Sequence, residues 1–561
     1  MSGGGAVETI VKTVSGAVRG VLEDGVAVFR GIPYAAAPFG THRFRAPERH
    51  GSWEGVRDAT TFGPTAPKPP YPAPFDQLLP EVDVAGEDCL NLNVWTPDPG
   101  ASGLPVLVWI HGGAFVNGSG SVAHYDGRAF ARDGVVCVTI NYRLGVDGFL
   151  VLDGAPPNRG LLDQVAALEW VQDNIAAFGG DPATVTIAGE SAGAMSVTTL
   201  LSMPSTAGLF RRAVPQSGAG HHALSAATAR LVTAELSARL GVQATVRALA
   251  EVPLDRLIEA QAALSGEALL EPDPARWGEA AANGMLFEPV IDGEVLPALP
   301  IDGVAAGHGR GVDLLAGTNR DEYRLFLVLT GVADLVDDDA LTGAAAGLGM
   351  SAAAVGSYRR ARPDLPPGLV LSALMTDWVF LIPAVRLAEA HQGGPGSTHL
   401  YEFAWPATVL DGQLGACHAL EIGFVFDSLD VPGGDALYGP GAPRELATTM
   451  HRAWVDFVTT GDPGWAPYDL ARRTTMVFDV GSRPVDDPAG PERAAWGGSA
   501  EPSGSAPAPP AAVVSRKHGS RAPARCARGG AERHRRGSSR RRRGCRGWTA
   551  RRYAAVRSTA R

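Results

Sequence analysis

The sequence predicts an α/β protein with a mostly parallel central sheet wrapped by helices, followed by a C-terminal extension of different composition. Three observations carry this. Between Val106 and Leu201, short β-branched and apolar runs alternate with a segment of helical periodicity, the pattern of a parallel sheet with crossover helices. One run, residues 184–188, leads straight into Gly189-Glu190-Ser191-Ala192-Gly193 and then into a helical stretch. After Trp496 the apolar periodicity stops.

The elements follow in order. Residues 7–30 alternate apolar and polar around Gly16 and Gly25, which predicts small antiparallel strands. Pro64 to Pro80 holds seven prolines and reads as a surface loop. Residues 106–110 and 135–140 are strands by their Val and Ile content. From Leu161 to Phe178, apolar Leu162, Val165, Ala166, Leu168, Val171 and Ile175 recur at helical spacing. Residues 184–188 form the next strand and 194–201 the next helix. Residues 225–285 are Ala-rich and helical in pattern, 312–317 form a strand, 331–395 read as helical, 398–403 as a strand and 445–460 as a helix. No internal repeat is evident.

The chain has 561 residues, 45% hydrophobic and 19% charged, enough to bury a large core. The net charge of −10 hides an asymmetry: residues 499–561 carry 17 Lys and Arg against 2 Asp and Glu. The expected organisation is therefore one folded α/β domain over residues 1–498 and a Pro-, Ala-, Gly- and Arg-rich tail over 499–561. The tail is too poor in apolar residues to offset its ordering entropy and is expected to be disordered. Its arginines could attract nucleic acid, but only Trp548 and Tyr553 interleave them, so no nucleic-acid partner is expected.

The first residues lack a basic and an apolar segment of the signal-peptide kind. No uninterrupted apolar run of about 18 residues occurs, so no membrane span is expected. Five cysteines, two of them (Cys526 and Cys545) in the tail, leave Cys89, Cys137 and Cys417 in the body. The odd count points to a reducing, cytoplasmic location. A monomer is expected.

Strand, Gly-x-Ser-x-Gly, helix is the setting of a nucleophile elbow. The glycines let strand and helix approach closely, and Ser191 stands at the tip. A serine hydroxyl needs a general base, an acid that orients the base, and donors for the oxyanion. The donors are legible in His111-Gly112-Gly113-Ala114, directly after a strand. Small residues there let backbone N–H groups of Gly113 and Ala114 face the cavity, joined by that of Ala192. For the acid, Asp321 and Glu322 follow the strand at 312–317, and either could orient an imidazole. For the base, His418 lies past the strand at 398–403, in the order Ser, acid, His. His221 and His222 precede the acid and break that order. His418 and Glu421 are also spaced i, i+3, but no second pair of this kind completes a metal site. No metal is expected.

These motifs resemble the type-B carboxylesterases, the group that also contains the cholinesterases. The resemblance covers roughly residues 7–497. Phe29-Arg30-Gly31-Ile32-Pro33-Tyr34-Ala35, Glu87-Asp88-Cys89-Leu90-Asn91-Leu92-Asn93-Val94-Trp95, Asn141-Tyr142-Arg143-Leu144-Gly145 and Phe178-Gly179-Gly180-Asp181-Pro182 fall in family order with the elbow. The resemblance implies one α/β-hydrolase domain that hydrolyses small carboxylic esters without a cofactor. It implies Glu322 as the triad acid and His418 as the base. It implies supporting roles for Ser217, Gly112 and Glu190, the last inside the elbow and not itself the triad acid. It also implies a buried ion pair between Arg43 and Glu87.

The chain departs from the family in four places. Secreted members bridge the cysteine at the position of Cys89 to an upstream partner, yet Cys89 is the first cysteine here. Residues 60–86 contain no Trp, so choline esters are not expected substrates. Ala114 replaces a glycine common in the family, and Asp147 stands where an apolar residue is usual. The expected function is a serine carboxylesterase working through an acyl-enzyme. The alternatives are an amide or carbamate hydrolase using the same triad, or a non-catalytic binding relative, although all three triad residues are present. Acyl and alcohol pockets are expected to draw on residues 270–290 and 325–375.

Overall fold

The parallel sheet forms because its central strands are apolar on both faces. The computed structural model describes residues 8–497; the tail expected to be disordered lies outside them. The strands are β1 (Glu8–Lys12), β2 (Ala17–Glu23), β3 (Val26–Pro33), β4 (Val56–Asp58), β5 (Asn91–Thr96), β6 (Leu104–Ile110), β7 (Val136–Ile140), β8 (Gly180–Glu190), β9 (Arg212–Gln216), β10 (Leu224–Ser225), β11 (Val290–Ile291), β12 (Asp313–Asn319), β13 (Thr398–Phe403), β14 (Thr474–Phe478) and β15 (Arg483–Asp486). β10 and β11 form a separate small sheet. The others run in the order β1-β2-β3-β5-β7-β6-β8-β9-β12-β13-β14-β15, with β4 on β2. From β7 to β14 in this order every pairing is parallel; β1, β2, β3, β5 and β7 pair antiparallel in succession, as does β15 with β14, while β4 pairs parallel with β2. This is the α/β-hydrolase architecture.

On β6, Val106, Val108 and Ile110 enter one core and Leu107 and Trp109 the other. The helix Arg159–Asn174 covers the first face with Leu161, Leu168 and Val171. The helix Arg444–Thr460 covers the second with Met450, Trp454 and Phe457. The helix Ala192–Ser202 is buried along its whole length. A third core, around Leu341, Tyr358, Val370 and Leu374, joins the helices of residues 331–376 to Trp496. The segment Pro367–Ala390 is apolar and long enough to cross a membrane by length and composition alone; 78% of its apolar window is buried within the fold.

The family motifs are explained by what they tie together. Asn93 Oδ1 accepts the Gly31 N–H at 2.9 Å, and its Nδ2 donates to Thr139 Oγ1 at 2.9 Å. Arg143 clasps Asp163 through Nε and Nη2 at 2.7 and 2.6 Å, a buried bidentate pair.

One expectation is corrected. Arg43 does not pair with Glu87, which is exposed; its Nε lies 3.1 Å from Oδ1 of Asp147. Asp147, the departure from the family pattern, thus supplies the carboxylate that Arg43 needs. In the region of Glu87, the neighbouring Asp88 is taken up by Arg57.

Candidate active site

The elbow is built from close backbone contacts. Ser191 has φ 58° and ψ −124°, a conformation that L-residues rarely adopt and that costs about 1–3 kcal/mol. It is held by its N–H donating to the Gln216 carbonyl and by its carbonyl accepting the Met195 N–H, both at 2.9 Å. A Cβ at Gly193 would collide with the Ile110 carbonyl, and one at Gly189 would lie 2.6 Å from the same oxygen. Ala192 opens the helix Ala192–Ser202, so its N–H has no intrahelical acceptor.

The loop after β6 packs onto this turn. A Cβ at Gly112 would lie 3.1 Å from Ser191 Cβ and 3.0 Å from Glu190 Oε2. Gly113, Ala114 and Phe115 all have positive φ, at 110°, 51° and 60°. The Gly113 carbonyl accepts the N–H groups of Val116 and Asn117 at 3.0 and 2.8 Å, closing the loop. Among the described residues, the N–H groups of Gly113, Ala114 and Ala192 donate to no protein acceptor. Three free donors beside a serine are the requirement for an oxyanion hole. His111 stacks on Tyr142 at 4.5 Å. Burial depresses its pKa to about 3, against the hydrogen bond to the Gly112 carbonyl, so the ring is neutral.

Geometry separates the two candidate acids. Glu322 is fully buried, and its Oε2 lies 2.7 Å from His418 Nδ1. Its Oε1 accepts the Asn319 N–H at 2.7 Å. Asp321 instead pairs with Arg324 at 2.9 Å and accepts the Ala416 N–H at 3.1 Å, anchoring the loop that carries His418.

His418 is packed between Phe380 and Phe326, with ring centroids 4.8 and 5.4 Å away. Phe326 falls in the segment expected to build substrate pockets; Phe380 lies just beyond it. The other ring nitrogen, Nε2, is 3.1 Å from Glu190 Oε1. That oxygen has no hydrogen-bond partner, so the contact is an ion-pair approach without hydrogen-bond geometry. Among the described residues, no hydrogen bond joins Ser191 Oγ to His418; such bonds often form only in the substrate complex.

A third carboxylate completes the surroundings. Glu421 accepts from Gln216 Nε2 at 3.2 Å and Asn319 Nδ2 at 2.6 Å. In the sequence the i, i+3 spacing from His418 suggests only a metal ligand for Glu421; its place inside an apolar stretch is the one signal of a buried carboxylate. Among the described residues no cluster suits a metal. Burial disfavours the charged imidazole, but Glu190, Glu322 and Glu421 outweigh it and raise His418 to about 9. Burial, with Glu421 and Glu322 nearby, raises Glu190 to about 8 against the pull of His418. Burial and Glu322 raise Glu421 to about 7.

Ser217 is buried beside the elbow with φ 55° and an unpartnered Oγ. A Cβ on the adjacent Gly218 would lie 2.6 Å from the Ser191 carbonyl. His221 and His222 stay out of the triad; His222 Nε2 lies 3.3 Å from the Val379 carbonyl.

Comparison with known proteins shows the family to which the chain belongs. Residues 7–478 match the model of the carboxylesterase family. The chain is 39% identical to the para-nitrobenzyl esterase of Bacillus subtilis (strain 168) over 508 residues, 86% of this chain and 97% of that protein. It is 37% identical to the phenmedipham hydrolase of Pseudarthrobacter oxydans, covering 81% and 90% of the two chains. The crystal structure of the Geobacillus stearothermophilus carboxylesterase EST55 superposes with a TM-score of 0.77 at 40% identity, over 87% of this chain and all of that one. The chain therefore belongs to the carboxylesterase family and is a carboxylic ester hydrolase.

Proposed function

We propose that Ser191, Glu322 and His418 are the catalytic triad, with Gly113, Ala114 and Ala192 as oxyanion donors. The reading rests above all on the 2.7 Å contact between Glu322 Oε2 and His418 Nδ1, together with the strained backbone of Ser191 and the small-residue loop packed on its turn. Glu322 accepts the hydrogen bond of Nδ1–H and fixes the tautomer that leaves Nε2 as base. Nε2 takes the Ser191 proton as Oγ attacks the ester carbonyl. The oxyanion forms against the backbone donors, His418 returns the proton to the departing alcohol, and water repeats the sequence on the acyl-serine. The buried carboxylates favour the imidazolium that forms in each half-reaction.

The substrate is a small-molecule carboxylic ester. Similarity to a para-nitrobenzyl esterase and to a phenmedipham hydrolase makes p-nitrobenzyl esters and phenmedipham the first compounds to assay beside p-nitrophenyl esters of increasing acyl length. Ser191→Ala is expected to lower kcat on p-nitrophenyl acetate by at least about 10⁴; pure mutant protein that keeps turnover would sink the assignment. A reducing, cytoplasmic setting is supported by Cys89, Cys137 and Cys417, all buried as free thiols, and immunofractionation of the native host tests it.

A further inference from the structure

The segment Pro367–Ala390 is not a uniform α-helix. Asp377–Leu381 forms a π-helical turn between two α-helical stretches. Such a turn inserts a residue at the expense of regular hydrogen bonding and needs outside support to persist. Three contacts supply it here. Thr376 Oγ1 accepts the N–H of Tyr323, the residue after Glu322, at 3.0 Å. His222 Nε2 lies 3.3 Å from the Val379 carbonyl. Asp377, 4% exposed, accepts from the Tyr358 hydroxyl, whose oxygen accepts from Trp496 Nε1 at 2.9 Å.

The side chain this turn delivers to the active site is Phe380, 4.8 Å from the His418 ring and inclined at 35°. The hydrogen bond from His418 Nδ1 to Glu322 fixes one atom of the imidazole; the plane of the ring is left to packing. Each α-helical residue turns the chain by about 100°. Asp377 and Phe380, three residues apart on this turn, face Tyr358 and His418 respectively.

We propose that the π turn Asp377–Leu381 positions the triad histidine: Asp377, anchored by Tyr358, sets Phe380 against the His418 ring and so limits rotation of the imidazole plane about its Nδ1–Glu322 hydrogen bond. This rests on the triad reading above. Phe380 and Asp377 are positioning residues that act through His418.

The test uses the full chain with p-nitrophenyl acetate and compares Phe380→Leu, Phe380→Tyr, Tyr358→Phe and Ser191→Ala. Active serines are counted with a fluorophosphonate probe, so that kcat refers to folded enzyme. Phe380→Leu is expected to lower kcat roughly tenfold to a hundredfold, the cost of misplacing a catalytic group, with KM within about twofold. It is also expected to displace the acidic limb of the kcat/KM–pH profile. The charged groups facing His418 are Glu190, Glu322 and Glu421, and Phe380→Leu alters none of them. Phe380→Tyr, which keeps the ring, restores most of kcat. Tyr358→Phe lowers kcat in the same direction by releasing Asp377. The proposal is overturned if Phe380→Leu changes KM alone, or leaves both kcat and the acidic limb at wild-type values. It is also overturned if Tyr358→Phe lowers Tm while kcat per titrated serine is unchanged. Turnover by Ser191→Ala would instead remove the triad reading, whatever the other variants do.

Discussion

Glu190 Oε1 lies 3.1 Å from Nε2 of His418, on the opposite side of the imidazole from Glu322, which holds Nδ1 at 2.7 Å. Both ring nitrogens thus face buried carboxylates. Glu190 and His418 are raised to about 8 and about 9 respectively, close enough that they titrate as one coupled group. The arrangement favours the imidazolium needed at the transition state, and it delays loss of the proton that must leave before His418 can act as a base.

That balance fixes a pH dependence. With His418 as the proposed base, activity needs its neutral form, whose proton is retained to higher pH than an ordinary imidazole's, so kcat/KM is expected to rise through the mildly alkaline range. Glu190→Gln removes a negative neighbour, lowers the His418 pKa and moves the acidic limb down by about one pH unit or more. It also lowers kcat on the alkaline plateau, because the imidazolium loses a partner. A limb that stays in place or moves upward in a kcat/KM–pH profile would contradict the role given to Glu190.

The adjacent carboxylates at 321 and 322 are expected to respond differently. Glu322→Gln replaces the carboxylate with a neutral amide that neither stabilises the imidazolium nor enforces the Nδ1–H tautomer, and should reduce kcat by about 10³–10⁴. Asp321→Asn keeps an acceptor for the Ala416 N–H and loses only its pairing with Arg324, a contact between partly exposed groups, at about 0–1 kcal/mol. Steady-state kinetics on the two variants decides; equal losses of kcat would return the choice of acid to an open question.

Arg43 supplies a test of the rewired ion pair. The Arg43 and Asp147 side chains are 9% and 14% exposed, so Asp147→Ala strands a nearly buried guanidinium. The expected cost is about 3 kcal/mol in chemical denaturation. Glu87→Ala, at an exposed carboxylate, should stay within about 0.5 kcal/mol. The reverse ranking would mean that Arg43 depends on Glu87 after all.

Glu288 carries a prediction about stability. It is 1% exposed, and Asn283 Nδ2 donates to it at 3.2 Å. Burial raises its carboxyl from 4.5 to about 8, against the Asn283 hydrogen bond. The folded state therefore binds more protons than the unfolded state between these values, and this residue's contribution to stability falls as pH rises from about 4.5 to about 8. Glu288→Gln removes that dependence and should raise stability at pH 9 relative to wild type by on the order of a few kcal/mol. Urea melts at pH 5 and pH 9 measure it; an equal change at both pH values would show that the carboxyl does not titrate in the fold.

Much of the architecture was legible because local pattern and burial coincide. The strand at β6 and the helix Arg159–Asn174 are apolar where the two cores need them, and the strand at β13 matches residues 398–403. β9 was not legible. It begins with Arg212 and contains Pro215, yet it runs between β8 and β12. Its charged end is satisfied from outside the strand, with Arg212 Nη1 donating to the Val458 carbonyl at 2.9 Å. β14 and β15 are short and likewise escaped the pattern.

The sequence by itself determined the tight turn that carries Ser191 and the small-residue loop proposed to supply the donors. Ser191, Gly193 and Gly112–Ala114 are local features whose backbone demands only small residues meet. It also determined the order in which acid and base must follow. The tertiary structure decided which carboxylate does what. Asp321 and Glu322 are neighbours in the chain, and only the fold turns one toward Arg324 and the other toward His418. Glu190, Glu421 and Asp147 acquire their partners across separations of 228, 205 and 104 residues, where no spacing rule reaches. Electrostatic roles depend on distance and burial, and both are properties of the packed chain.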